Sequence, residues 1–189
     1  MREWKRVQTA GGVRFVSALE RHESTVLRNM ATSMQEMLDD RQSSAPADPL
    51  EQLTGIRTGN STPPEDATMQ RLLPDFVRDD ANAPAGSNQA LRSLHEPAII
   101  DAKISAAQHL LDTLPDADGV VELSEDDAEA WIAAVNDMRL TLGTILGVGP
   151  EVPERLPAGH PNARHLDVYQ WLTVLQEYLV LGLMGKPVR

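Results

Sequence analysis

The chain has 189 residues, which is enough for one domain with a sizeable core. It contains no cysteine, so disulfides, thiolate catalysis, thiol-based redox switching and cysteine-based zinc sites are all excluded. The formal net charge of −11 argues against a dedicated DNA-binding surface, because phosphate neutralisation dominates nucleic-acid affinity. The aromatic content of 4% favours a helical core of aliphatic side chains.

The N-terminal segment is basic and has the pattern of a β-hairpin. In WKRVQTAGGVRFV, apolar residues flank Gly11 and Gly12, where a turn with positive φ costs little. Residues 1–28 carry a net charge of +3 on an otherwise acidic chain. A small basic end is typical of a docking face for a partner, and an ordinary solvated surface is the alternative. The docking residues predicted here are Trp4, Lys5, Arg6 and Arg14.

A first long helix is predicted over residues 18–40, with leucine and methionine side chains on one face. Its start has two interpretations: Ser17-Ala-Leu-Glu20 fits a capping box, and Glu20 also fits as the first residue outside the helix.

Residues 41–90 are the least regular part of the chain and are rich in Pro, Gly and Ser. We interpret them as an irregular, partly mobile insertion in a single domain of residues 1–189. Two short helices are predicted within it, in DPLEQLTG and DATMQRLLPDF. Residues 76–90 are polar and low in apolar content, and whether they become ordered on binding stays open.

Helical periodicity returns at residue 88, and Pro97 is predicted to break it into a short helix and a longer one over residues 98–114. A turn and a brief strand at residues 120–123 follow, and this strand is a candidate third partner for the hairpin.

Ser124 and Asp127 are predicted to cap the next helix, which contains AWIAAVNDMRLTLGTILG. The last helix runs from Asn162 or Asp167 to Met184. The predicted fold class is therefore mainly α: a helical bundle of three to four core helices with a small N-terminal β-hairpin.

Two cations, Lys103 and Arg139, interrupt the apolar faces of the predicted helices. Burial of a lone charge is strongly unfavourable, so each should have a carboxylate or another hydrogen-bond acceptor nearby. A closed internal polar network is one interpretation. The other is an anion-binding cleft formed by Lys103 and Arg139, which would make the protein a sensor of a small anionic ligand.

The segment LRSLHEPAIIDAK concentrates charged residues around Pro97, and it is either a recognition face or a solvated connection with a capping network. No enzyme signature accompanies it. The five histidines lack metal-ligand spacing, and the sequence has no Gly-rich phosphate loop, dinucleotide fingerprint or GxSxG elbow. We therefore expect no metal, no cofactor and no catalytic residues.

Three blocks, ALRSLHEPAIIDAK, AWIAAVNDMRLTLGTILG and DVYQWLTVLQEYLV, together with WKRV near the start and LLPDF in the middle, resemble the AosR-type family of actinobacterial oxidative-stress regulators, long catalogued as a domain of unknown function. The resemblance covers nearly the full length. It implies a non-enzymatic regulator that contacts the transcription machinery, such as a sigma factor or RNA polymerase. Genes of the family generally lie near that of the Clp protease adaptor, so an adaptor role in Clp proteolysis is an alternative.

The candidate binding or polar-network residues comprise the two cations on apolar helix faces and positions that carry the resemblance to the family. They are Arg92, His95, Glu96, Asp101, Lys103, Asn136, Arg139, Trp171, Gln176 and Glu177. Redox sensing in this family is attributed to cysteines. A member without cysteine must therefore sense oxidation otherwise, or serve as a constitutive partner.

The remaining expectations concern location and assembly. The charged N terminus lacks an apolar signal segment, and polar residues interrupt the apolar C-terminal run, so we expect a cytoplasmic protein with no membrane contact. A protein partner is expected and direct DNA binding is not. A homodimer through an exposed face of the last helix is a further expectation.

Overall fold

The computed structural model describes residues 4–45, 55, 57–78, 84–149, 156–157 and 159–186. In chain order its elements are β1 (Lys5–Thr9), β2 (Gly12–Leu19), α1 (Arg21–Ser43), α2 (Ala67–Leu72), α3 (Ser87–Thr113), β3 (Gly119–Leu123), α4 (Glu125–Leu146) and α5 (Ala163–Leu183). Four long helices and one small sheet confirm the predicted mainly-α class. Within these described ranges, no helix combines the length and the apolar character needed to cross a membrane.

The sheet has three antiparallel strands in the order β1-β2-β3, as the hairpin and the candidate third strand predicted. The turn between β1 and β2 places Gly12 at a φ of 105°, where a residue with a Cβ would be strained. Phe15 on β2 is paired with Leu123 on β3, and both side chains are buried. One face of the sheet therefore closes the end of the helical core.

Helix α1 begins after Glu20, which settles the two interpretations of its start. The Glu20 side chain accepts from the N3 backbone, and the Glu23 carboxylate accepts from the Glu20 backbone N–H over 2.9 Å, so these two glutamates form the capping box. The predicted start at residue 18 was wrong because Leu19 still belongs to β2, where it is paired with Gly119.

Helix α3 continues without a break through Pro97, so the predicted division into two helices was wrong. Proline lacks an N–H, and the carbonyl of Ser93 therefore loses its intrahelical donor. The backbone N–H of Gly59 replaces that donor at 2.7 Å. A Cβ on Gly59 would lie 2.9 Å from Cγ of Pro97, so only glycine allows this approach.

The segment between α1 and α3 holds the short helix α2, which is capped by the Asp66 side chain accepting from the Met69 N–H over 2.9 Å. Helix α2 lies within the second of the two short helices expected there, and it packs against α4. The other, over residues 48–55, lies outside the described residues except for Gly55. Of residues 76–90, the last four already belong to α3.

Helices α4 and α5 complete the bundle. The capping box at the start of α4 is confirmed: the Ser124 hydroxyl accepts from the Asp127 N–H over 3.1 Å, and the Asp127 carboxylate accepts from the Ser124 N–H over 3.0 Å. Helix α5 follows Asn162, the earlier of its two predicted starts.

The core is centred on Trp131 of α4, which is fully buried. Its Nε1 donates to the Thr113 hydroxyl over 2.7 Å, and the ring of Trp4 packs edge-on against it with a centroid distance of 5.8 Å. Leucine, alanine and methionine side chains fill most of the remaining core, as the low aromatic content indicated.

Candidate functional site

A buried charge network joins α1, α3 and the segment that follows α2. Arg92 and Glu96 are one turn apart on α3, and each is 1% exposed. Arg92 donates from Nη1 to Glu96 Oε2 over 2.6 Å and from Nη2 to Asp75 Oδ1 over 2.7 Å. Arg41, near the end of α1, donates from Nε to Glu96 Oε1 over 2.8 Å. Both oxygens of Glu96 thus receive a charged donor, and these charges compensate each other within the protein.

Backbone carbonyls of the irregular segment complete this network. Arg41 donates from Nη2 to the carbonyl of Thr62 over 2.5 Å, and Arg92 donates from Nη1 to the carbonyl of Leu73 over 3.1 Å. In return, the Asn60 side chain donates to the carbonyl of Arg41 over 2.9 Å. The side chains that form the buried ion pairs therefore also fasten this segment to α1 and α3.

Lys103 is held by an aspartate of the neighbouring helix. Its Nζ lies 2.7 Å from Oδ1 of Asp137 on α4, and Asp137 is 4% exposed. Burial raises the pKa of Asp137 above its usual value, although the hydrogen bond and the charge of Lys103 act in the opposite direction. The positive charge of Lys103 is compensated by this contact.

Arg139 is held at a separate place, between α4 and α5, by neutral groups. It donates from Nε to the Thr173 hydroxyl over 3.0 Å and from Nη1 to Oε1 of Gln176. The centre of its guanidinium lies 5.5 Å from the centroid of the Tyr169 ring, which is within the range of a cation–π contact. Gln176 is thus placed beside Arg139, whereas Lys103 has a different partner.

The rest of the charged segment on α3 faces solvent. Asp101 receives hydrogen bonds from Gln42 over 3.1 Å and from Arg57 over 2.9 Å, and these contacts hold the pKa of Asp101 below its usual value. His95 is exposed, with its ring 6.0 Å from that of Phe76. Within the described residues, no group of three histidine, aspartate or glutamate side chains is arranged to hold a metal ion.

Three further candidates lie on α4 and α5 at different depths. Asn136 and Trp171 are half-buried, and Glu177 is exposed. The indole N–H of Trp171 is buried and has no hydrogen-bond partner among the described residues. None of the three joins the contacts described above for Lys103 and Arg139.

The four N-terminal candidates do not share one environment. Lys5 and Arg6 are exposed on β1. Arg14 is half-buried on β2, with its Nε 3.6 Å from Oε1 of Glu122 on β3. Trp4 is 5% exposed and belongs to the core, so its ring does not lie on the basic face.

Three residues that complete these contacts were not predicted from the sequence: Arg41, Asp75 and Asp137. Asp137 directly follows the candidate Asn136, and its position among the apolar residues Val135 and Met138 of α4 is a signal comparable to that of Arg139. Arg41 and Asp75 carried no such signal. Arg41 lies in the last turn of α1 and Asp75 lies in the irregular segment after α2, and each contacts a residue on a different element.

A separate, largely apolar cavity of about 470 Å³ opens between α1, α4 and the start of α5. Thioether side chains form much of its wall. Two of them are almost fully buried and two are half-buried. The methionines that line the cavity are Met30, Met34, Met37 and Met138.

Comparison with known proteins assigns the chain to a family. The model of a domain of unknown function, DUF2017, matches residues 1–183. The "Oxidative stress regulator AosR" of Mycobacterium tuberculosis is 60% identical over 195 residues, covering 98% of this chain and 89% of the relative, and the protein of the same name from Mycobacterium bovis gives the same values. A relative from Mycobacterium leprae is 56% identical over 194 residues, with the same coverage of both chains. No solved structure gives a significant match. The chain therefore belongs to the DUF2017 family and is a relative of the mycobacterial AosR proteins.

Proposed function

We propose that this protein is a non-enzymatic regulator of the response to oxidative stress and that it acts by binding another protein. The observation that carries the proposal is the 60% identity, over 98% of the chain, to proteins named as oxidative stress regulators. The aligned region includes both the buried charge network and the helical bundle, so the similarity extends over the whole domain and is not confined to one motif.

The partner that we propose is a component of the transcription machinery, either a sigma factor or RNA polymerase. Strand β1 is the surface that supports a docking role best, because all five of its residues are exposed and it forms an edge of the sheet. An edge strand offers unpaired backbone groups to a partner strand. Lys5 and Arg6 add positive charge to this edge in a chain whose net charge is −11, so the complementary surface of the partner is acidic.

A capture experiment followed by a binding measurement tests this proposal. The purified chain is used to capture partners from an actinobacterial lysate, with and without peroxide treatment, and they are identified by mass spectrometry. Recovered transcription proteins are then purified and titrated against the wild type and against Lys5→Glu combined with Arg6→Glu. We expect this double charge reversal to weaken binding by at least about tenfold and to lower the association rate.

The matched control is Arg78→Glu combined with Arg164→Glu, which reverses two exposed charges outside the sheet. Arg164 lies at the start of α5, whereas it is Gly182, near the end of this helix, that approaches Phe15 of β2. We expect it to bind like the wild type. The docking surface is wrong if both double variants bind equally well. The regulatory partner is wrong if the folded, monodisperse chain recovers no transcription protein, and recovery of a Clp component in its place would support the adaptor role.

A further inference from the structure

Arg139 differs from the other deeply placed cations in the kind of partner it has. Arg41, Arg92 and Lys103 each contact a carboxylate oxygen at 2.6–2.8 Å. The partners of Arg139 in the described part of the chain are the Thr173 hydroxyl, the Gln176 side-chain carbonyl and the Tyr169 ring, all of which are neutral. Its positive charge is therefore oriented by the protein and is not cancelled by these partners.

These contacts also fix the guanidinium in one position. Nε and Nη1 are occupied by α5, and the Tyr169 ring lies against the planar group. The Thr173 hydroxyl is itself fixed, since it donates to the carbonyl of Tyr169 over 2.9 Å. Nη2 has no hydrogen-bond acceptor among the described residues, so a positioned donor is left for another group.

A cavity of about 430 Å³ adjoins this guanidinium, and a second arginine lines it. Arg71 lies in the last turn of α2 and is exposed. The rest of the described wall consists of Tyr169, Thr144, two glycines and aliphatic side chains, with no acidic residue among them. Two arginines thus line one cavity in a chain whose net charge is −11.

The carbonyl end of α4 also borders the cavity, and its negative end is largely satisfied. The Val148 N–H donates to the carbonyl of Gly143 over 2.8 Å, and the Gly147 N–H donates to that of Thr144 over 3.1 Å. Two of the four terminal carbonyls of α4 are thus capped, and the two arginines carry the only side-chain charges of the described cavity wall.

We propose that this cavity binds a small oxyanion, a phosphate or carboxylate group of a soluble ligand, through Arg71 and Arg139. Nη2 of Arg139 would donate to one oxygen of the anion and the guanidinium of Arg71 to the others, so binding would bridge α2 and α4. The second cation of the site is Arg71 and not Lys103, because Lys103 is already engaged by Asp137.

Thermal unfolding and calorimetric titration of the full chain test this site. The probes are inorganic phosphate, pyrophosphate and citrate, each compared with sodium chloride at equal ionic strength. We expect at least one of them to raise the Tm of the wild type beyond the effect of chloride and beyond the rise that the same anion gives Arg71→Gln. Phosphate and citrate also stabilise proteins by exclusion from their surface, whereas a ligand bound only to the folded state adds stabilisation by mass action. Pyrophosphate and citrate distinguish a phosphate site from a carboxylate site.

Arg71→Gln is the decisive variant, since Arg71 is exposed and its replacement leaves the core unchanged. We expect it to weaken anion binding by about tenfold or more. Arg139→Lys, which keeps the charge but loses the oriented Nη2 donor, should weaken it as well. Arg78→Gln, an exposed arginine that does not line the cavity, is the control and should bind like the wild type. The proposal is overturned if chloride matches every probe, or if Arg71→Gln and Arg78→Gln give the same affinity.

Discussion

Replacement of Glu96 by glutamine keeps the size of this buried side chain and removes the negative charge between Arg41 and Arg92. Removing one partner of a buried ion pair typically costs about 3–5 kcal/mol. Arg92 retains Asp75 and Arg41 retains the carbonyl of Thr62, so we expect a loss near the lower limit. A decrease of about 3 kcal/mol in the free energy of unfolding corresponds to a decrease in Tm of about 6–12 °C for a chain of this length.

Asp101→Asn is the matched control, because Asp101 lies on the same helix and also contacts an arginine. The side chains of Asp101 and Arg57 are 56% and 45% exposed, and exposed pairs contribute at most about 1 kcal/mol. Urea unfolding followed by tryptophan fluorescence measures both variants. If Glu96→Gln lies within about 1 kcal/mol of the wild type, or if Asp101→Asn costs as much, burial does not govern the strength of these pairs and the reasoning fails.

Two further predictions concern backbone contacts. Gly59→Ala should lower the free energy of unfolding by about 1–3 kcal/mol, because its Cβ would collide with Pro97. The Cβ of Gly11→Ala would meet no atom closer than 3.5 Å, so this control should be nearly neutral. Thermal unfolding measures both variants. Asp127→Asn should cost about 1 kcal/mol near neutral pH through the weakened capping box. The contact with Ser124 lowers the pKa of Asp127 below 3.8, so its contribution is present above that pH and is lost as the pH falls through the lowered value. A difference between wild type and Asp127→Asn that does not shrink in urea titrations as the pH is lowered from about 7 to about 2 would contradict this.

Local signals were sufficient for much of the fold. The two glycines of the hairpin and the Ser124–Asp127 box act within a few residues, and both elements formed where they were predicted. Pro97 was misjudged because the donor that rescues the Ser93 carbonyl belongs to Gly59, which lies far back along the chain. A local rule about proline has no access to such a contact.

The candidate site shows the same division. The apolar helix faces were enough to mark Lys103 and Arg139 as cations that need partners. The identity of those partners depends on which helices pack together. Periodicity within one helix therefore could not predict that Lys103 contacts Asp137 or that Arg139 contacts Thr173. The charged residues around Pro97 differ in burial: Glu96 is buried, whereas Asp101 is exposed. Residues that are close in sequence on a helix point in different directions, so some face the core and others face solvent.

The methionine-lined cavity gives this cysteine-free sequence a different sulfur chemistry. A peroxide that reaches a thioether transfers one oxygen to the sulfur, and the peroxide is reduced to water or an alcohol. Met30 and Met37 are the half-buried thioethers of the cavity wall, and conversion to sulfoxides would replace apolar surface there with strong dipoles. Oxidation of Met30 and Met37 would thus make this wall more polar, and reductases that restore methionine would reverse the change.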